Sequence, residues 1–331
     1  MTDETNPADF EAPVAELEKR IEELEDFSRR TGVDLSEEIR RLREKSEEER
    51  RTIFSQLTAW QRIQLARNSN RPDAADYIAL MCEDFLELHG DRAFGDDKAM
   101  ITGLARIGGR KCMLIAQRKG RDTKERILYN FGSPHPEGYR KAMHKMKTAE
   151  KFVLPIVTLV NTPGAYPGIG AEERGQAWAI AENLYLMSIL KVPIVSVIIG
   201  EGGSGGALGI CVADRLLILE NAYLSVISPE GCAAILWRDS SKAPLAAQML
   251  RLQPQDLRDL GIVDEILPEP AGGAHRSHKE AADTLKRRIL ASLEDLEKLP
   301  LDALLAARYE KYRRIGRYME AEAAKLAPPG A

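Results

Sequence analysis

Cysteine is scarce. The 331 residues hold only Cys82, Cys112, Cys211 and Cys232, and no two of them form a Cys-x-x-Cys pair. A disulfide framework and a zinc ribbon within this chain are therefore excluded, and scattered thiols suit a reduced, cytoplasmic setting. Long apolar runs are also missing: "LPIVTLV" and "VPIVSVIIG" are strand-length and too short to span a bilayer. Net charge is only −4, which offers no electrostatic reason to expect nucleic acid or an anionic membrane as a partner. The first residues, "MTDETNPADFE", are acidic and polar, so no signal peptide is expected. What is present is an ordinary globular composition, 44% hydrophobic and 30% charged, in a length that suits one α/β domain with appendages.

Residues 11–67 are charge-rich and helical in pattern, with Val14, Leu17, Ile21, Leu24 and Phe27 at three- and four-residue steps. A stop at Gly32 and a new start near Asp34 predict a helical hairpin, either a coiled-coil partner surface or an appendage packed on its own core. "RPDAADYIALMCEDFLELHGD" predicts a further amphipathic helix, and "AMITGLARIGGRKCMLIAQRKG" a hairpin turning at Gly108-Gly109. From Gly138 onward, helix, strand, loop, helix and strand alternate. The strands read as continuous apolar runs, as expected of a mostly parallel sheet covered on both faces. Strands follow near 215–219 and 223–226, then a helix with Ser228 as N-cap and Pro229 in its first turn. "GIVDEIL" predicts a last strand, "EPAGGAHRSHK" a flexible connection, and residues 276–325 a charged helical run. The expected division is a helical region 1–70, a core 71–275 and a helical region 276–331.

The stretch "GEGGSGG" supports three chemistries at once. Gly200, Gly202 and Gly205 spell a dinucleotide-binding turn, with Glu220 twenty residues on for a ribose. Against it stand a following helix of two to three turns at most and Glu201, an anion beside a pyrophosphate. Gly202, Ser204 and Gly206 spell a hydrolase elbow, with Asp264 and His275 or His278 following in order. Those histidines fall in the Gly-rich connection, a poor place to hold a base, and Ser204 as a helix N-cap is the plainer reading. In the third, Gly205 and Gly206 present backbone N–H groups to an oxyanion at the start of a helix, where glycine lets successive amides face one ligand. A tight turn with close helix–strand packing is its plain counterpart. A second glycine-rich loop, "NTPGAYPGIGAEERGQ", also lies between an apolar strand and a helix. It would bring two sets of backbone donors to one rim of the sheet, where open α/β sheets bind ligands.

In "HGDRAFGDDKAM", "YRKAMHKMKTAEKF", "NTPGAYPGIGAEERGQ", "GEGGSGGAL" and "SVISPEGCAAILW" the chain resembles the alpha subunits of bacterial acetyl-CoA carboxylase carboxyltransferases, from about residue 9 to about 320. The resemblance implies a crotonase-like (ClpP/crotonase) α/β fold, a spiral of β-β-α units with helical ends. It implies transfer of a carboxyl group from carboxybiotin, on a separate biotin carboxyl carrier protein, to acetyl-CoA to give malonyl-CoA. It also implies an α2β2 assembly whose beta subunit carries the zinc and most CoA contacts, so no metal is expected in this chain. Gly205 and Gly206 would then be the oxyanion donors to the biotin ureido oxygen. Gly164, Ala165, Tyr166, Pro167 and Gly168 would line the biotin pocket, with Tyr166 as a flat wall. Other groups carry two readings each. Arg140, His144, Lys147 and Lys151 form a basic face for CoA phosphates or a solvated or inter-subunit face. Cys232 is an activated thiol or a structural one, and Glu172, Glu173 and Arg174 cap or pair at the start of a long helix. The alternative function is a self-sufficient crotonase-type acyl-CoA decarboxylase or hydratase.

Overall fold

The computed structural model describes residues 9–316. The expected hairpin is formed by helices Ala12–Thr31 and Ser36–Ser55. Gly32, at φ +71°, ends the first by donating its N–H to the Ser28 carbonyl. Only Val14 and Ile21 of the first helix and Ser46 of the second are buried, so the hairpin contributes little to the main core. Its base is tied down by ion pairs: Glu18 takes Arg50 at 2.6 Å and Arg276 at 2.7 Å, and buried Glu11 meets His275 at 3.2 Å.

The core is a mixed sheet of β1 (Cys82–Glu87), β2 (Met100–Ile107), β3 (Arg110–Gln117), β4 (Ile156–Thr162), β5 (Ile194–Gly203), β6 (Arg215–Leu219), β7 (Tyr223–Ser225) and β8 (Glu265–Leu267). Its order is β1-β2-β3-β4-β5-β6-β8, with β7 beside the end of β5. The first three strands pair antiparallel, β2 and β3 meeting through the turn at Gly108-Gly109; β3 to β8 run parallel. Every residue of β4 and β5 is buried. Each fully buried Val, Leu or Ile there stabilises the fold by roughly 1.5–3 kcal/mol. The buried hydroxyls there find partners, Thr158 donating to Ser196 at 2.7 Å and Thr162 to the Gly164 carbonyl at 2.8 Å. Helices Pro136–Lys151 and Gln176–Ile189 pack together on this sheet.

Three sequence expectations need correction. The helix expected through "RPDAADYIALMCEDFLELHGD" runs only over Ala74–Met81, capped by Asp73; "CEDFLE" is strand β1. Pairing with β2 overrides the helical spacing: Phe85 lies opposite Ala105, and its ring crosses Gly103 so closely that a β-carbon there would sit 2.6 Å from it. The long helix expected over "EERGQAWAIAENLYLMSIL" is two, Ile169–Glu173 and Gln176–Ile189, broken at Gly175 with φ +79°. The "flexible connection" is fixed by one residue. The Glu269 carboxylate is fully buried, takes both Arg71 amino groups at 2.5 and 2.9 Å, and accepts the N–H groups of Asn221 and Ala274. Arg71 in turn donates to the Ile199 carbonyl on β5 at 2.8 Å.

The chain continues as helices His278–Glu297 and Leu301–Arg313. Buried Arg308 locks the last one in place. Its guanidinium forks onto Asp214 at 2.7 Å and donates to the carbonyls of Met187, Leu190 and Val192. Residues 1–8 of the expected N-terminal region and 317–331 of the expected C-terminal one lie outside the described residues.

Candidate functional site

Strand β5 delivers the glycine turn to the C-terminal rim of the sheet. Gly203 is still extended, exposed Ser204 takes φ +48°, and a helix of one turn, Ser204–Leu208, begins. The N–H groups of Gly205 and Gly206 stand at its start, where no intrahelical acceptor can reach them. Among the described residues no other acceptor is bonded to either. Gly205 is half-buried and Gly206 buried.

The second glycine loop lies directly against this turn. A β-carbon on Gly203 would meet the Pro163 carbonyl oxygen at 2.1 Å, and one on Gly206 would meet the Ala165 nitrogen at 2.4 Å. Real β-carbons do not approach backbone so closely, so only glycine permits the contact. Thr162 shapes the loop by donating its hydroxyl to the Gly164 carbonyl while accepting the Gly164 N–H. The Tyr166 ring stacks on His135, centroids 4.1 Å apart and planes inclined by 24°. The same ring lies over Gly168, where a β-carbon would be 2.4 Å from it. Buried Gln176 donates to the carbonyls of both Pro134 and Tyr166, joining the loop to the segment that carries His135. Gly164 and Ala165 thus lie against the turn at Gly203 and Gly206, and Tyr166, Pro167 and Gly168 continue the same part-exposed loop toward His135.

Glu201, two residues before the turn, is buried yet charged. Burial pushes its carboxyl up, but Lys119 and Arg67 outweigh that and hold it down at about 2. Lys119 and Arg67 both pair with it, Arg67 at 2.8 Å, and the Tyr223 hydroxyl donates to it at 2.6 Å. Arg67 also reaches Glu230, in the first turn of helix Pro229–Trp237, at 2.5 Å. The carboxylate that counted against a dinucleotide is therefore already neutralised inside the protein.

The competing readings do not assemble. Ser204 is not an N-cap: Gly203 holds that position and no side chain caps the helix. Its hydrolase partners are engaged elsewhere, His275 with Glu11, His278 with the Asn70 carbonyl, and Asp264 with Lys311. The helix after the turn has five residues, too short for a dinucleotide fold's phosphate helix, and Glu220 accepts the Glu269 N–H. The supposed basic face also loses its first member, because Arg140 is spent on Asp91, Glu137 and the Arg174 carbonyl. Lys147 and Lys151 remain exposed, and His144 is half-buried. Arg174 pairs with Glu137 at 2.6 Å and lies over the Phe94 ring, so it does not serve its own helix start. Burial raises the thiols of Cys82 to about 11 and of Cys112 and Cys211 to about 12, which makes them poor nucleophiles at neutral pH. Among the described residues no group of three or more His, Cys, Asp or Glu is placed to hold a metal, and no helix is long and apolar enough to cross a membrane.

Sequence reading missed what supports the turn from below. Gln117 at the end of β3 and Tyr139 on helix Pro136–Lys151 both donate to the Gly206 carbonyl, at 2.7 and 3.1 Å. Asn183 donates to the carbonyls of Gly209 and Tyr139. Polar residues inside apolar strand and helix patterns were the available signal, but only the fold shows what they meet.

Residues 7–316 match the model of the family described as acetyl co-enzyme A carboxylase carboxyltransferase-like. The chain is 54% identical to the acetyl-coenzyme A carboxylase carboxyl transferase subunit alpha of Thermus thermophilus, over 95% of this chain and 99% of that one. It is 55% identical to the subunit of the same name from Methylococcus capsulatus, over 94% and 97%. Among solved structures, transcarboxylase 12S superposes with a TM-score of 0.55 at 22% identity, over 78% of this chain and 45% of that one. The beta subunit of geranyl-CoA carboxylase from P. aeruginosa gives 0.54 at 17%, over 75% and 46%. These folds identify the mixed sheet with its covering helices as crotonase-like. By sequence over nearly its whole length, the chain belongs to the family of acetyl-coenzyme A carboxylase carboxyltransferase alpha subunits.

Proposed function

We propose that this chain works with a zinc-bearing beta subunit, in an α2β2 assembly, to transfer a carboxyl group from carboxybiotin on a separate biotin carboxyl carrier protein to acetyl-CoA. The product is malonyl-CoA, and the step commits carbon to fatty acid synthesis. The carrying observation is the pair of acceptor-less N–H groups on Gly205 and Gly206, set against the glycine loop 163–168. Donors without acceptors beside a wall of loop backbone suit a planar group with a carbonyl oxygen. When bound, carboxybiotin supplies the activated carboxyl group. Gly205 and Gly206 would donate to its ureido oxygen, where negative charge grows as the carboxyl group leaves. Removing one such donor typically costs about 2.7–4 kcal/mol of barrier. The Tyr166 wall, braced by His135, would orient the ring system, and holding two reactants together contributes up to roughly 7–11 kcal/mol more. The nitrogen freed as the carboxyl group leaves biotin can itself take the methyl proton of acetyl-CoA, so this reading assigns no proton-moving side chain to the chain. The donors for the thioester oxygen fall to the partner. Buried, unactivated thiols fit a reducing cytoplasm.

The test is carboxyl transfer from malonyl-CoA to biocytin, assayed as acetyl-CoA formation, with this chain alone and with a zinc-ribbon beta subunit. Turnover is expected only with both chains. Turnover by this chain alone would instead support the self-sufficient acyl-CoA enzyme, and none from an assembled complex would overturn the assignment.

A further inference from the structure

The junction of β4 and β5 contains an irregularity beside the glycine turn. Pairing runs in step from Ile156 opposite Ile194 to Val160 opposite Ile198, then jumps to Thr162 opposite Gly202. The extra residues of β5 break the ladder, as bulges beside active sites often do. Side chains fill the gap. The Asn161 N–H donates to the Gln117 side-chain oxygen at 3.1 Å, and the Glu201 N–H donates to the Asn161 side-chain oxygen at 3.1 Å. Gly200 leaves the room, since a β-carbon there would meet that Asn161 oxygen at 2.6 Å.

Bonding one end of the Gln117 amide to β4 directs the other end at the turn. Its nitrogen donates to the Gly206 carbonyl at 2.7 Å, and the fully buried Tyr139 hydroxyl donates to the same oxygen at 3.1 Å. The helical donor for that carbonyl would be the Ile210 N–H, but Ile210 bonds to Ala207 instead. Gly206 is thus gripped from two sides. Its α-carbon is pressed against residues 164 and 165, and its carbonyl is fixed by two side chains from other elements. The Tyr139 ring also packs against Gly209, where a β-carbon would meet it at 2.7 Å. Glycine has the freest backbone of any residue, so a catalytic N–H on glycine needs such external restraint.

We propose that Gln117 and Tyr139 are positioning residues for carboxyl transfer: by clamping the Gly206 carbonyl they anchor the peptide that follows Gly206, and with its α-carbon held against residues 164 and 165 this restrains the φ and ψ that set where the Gly206 N–H points. The proposal rests on the reading of Gly205 and Gly206 as oxyanion donors. Neither side chain need touch the substrate. Burial keeps the Tyr139 hydroxyl protonated well beyond the ordinary tyrosine range, so its donation persists at any working pH.

Tyr139→Phe and Gln117→Met, each in complex with the beta subunit, test this through kinetics and amide hydrogen exchange. A misaimed donor costs turnover without weakening ground-state binding, so kcat should fall about tenfold while KM for malonyl-CoA and for biocytin stays within about twofold. Exchange should rise in the peptide covering residues 200–210 and stay unchanged elsewhere. Wild-type kcat in a folded complex would overturn the proposal. So would exchange that rises evenly along the chain, with kcat falling only in step with thermal stability. If Gln117→Met does not assemble, Tyr139→Phe decides alone. Gly206→Pro, which deletes the N–H, separates the two levels. Full turnover by that variant in an assembled complex would remove the donor reading itself. Its inactivity beside an unaffected Tyr139→Phe would remove only the clamp.

Discussion

Gly206 approaches Ala165 so closely that a β-carbon on Gly206 would stand 2.4 Å from the Ala165 backbone nitrogen. With Gly203 against the Pro163 carbonyl, this makes the two glycine loops a single unit, although they lie some forty residues apart in the chain. Either loop alone is an ordinary strand–helix connection. Together they put the Gly205 and Gly206 N–H groups beside the backbone of residues 163–165, the arrangement on which the proposed oxyanion site rests.

Glu201 should govern stability at low pH. Its carboxyl is held at about 2 in the fold against an ordinary 4.5, so its contribution is complete above about 4.5 and is lost as pH falls toward 2. Its size is on the order of 3 kcal/mol. Glu201→Gln should remove that acid limb and, by leaving Lys119 and Arg67 short of a counter-charge, destabilise the neutral-pH protein by about 2–4 kcal/mol. Chemical unfolding at pH 7 and pH 3 measures both. An unchanged midpoint at pH 7 would mean that the buried pairing is dispensable.

Arg308→Lys should behave as a drastic change. Lysine has no fork to share between Asp214 and three carbonyls, so a loss of about 3–5 kcal/mol is expected. Thermal unfolding reports the loss, and limited proteolysis should release helix Leu301–Arg313 first. A variant as stable as the wild type would show that this helix is held by its apolar contacts alone.

Tyr166→Ala removes the ring that stacks on His135 and covers Gly168. If that ring is the biotin wall, KM for biocytin should rise about three- to tenfold while KM for malonyl-CoA stays unchanged. Equal changes in both would point to a general loosening of the loop.

Much of this was legible beforehand, for physical reasons. β4 and β5 are covered on both faces and so write themselves as unbroken apolar runs; Gly108-Gly109 marks a hairpin because alternation resumes on either side. The glycine loops declared themselves by density, and long motifs in register carried the family. What stayed hidden depends on partners far away in sequence. "CEDFLE" has helical spacing until β2 claims it. Gly272 and Gly273 suggest a loose connection until Glu269 is buried against Arg71. Arg140 looks like a surface charge until Asp91 and Glu137 close around it. Gln117 and Tyr139 show locally only as polar groups within apolar patterns; their common target, the Gly206 carbonyl, is a backbone atom on another element that no local pattern names.

The most direct test of the site is Gly206→Ala, assayed for malonyl-CoA to biocytin transfer in complex with the beta subunit. The added methyl must push the turn away from Ala165 and misplace the donors. A fall in kcat of about a hundredfold or more is predicted, with both KM values near wild type and the complex intact. Wild-type turnover from an intact Gly206→Ala complex would contradict the claim that this contact builds the catalytic turn.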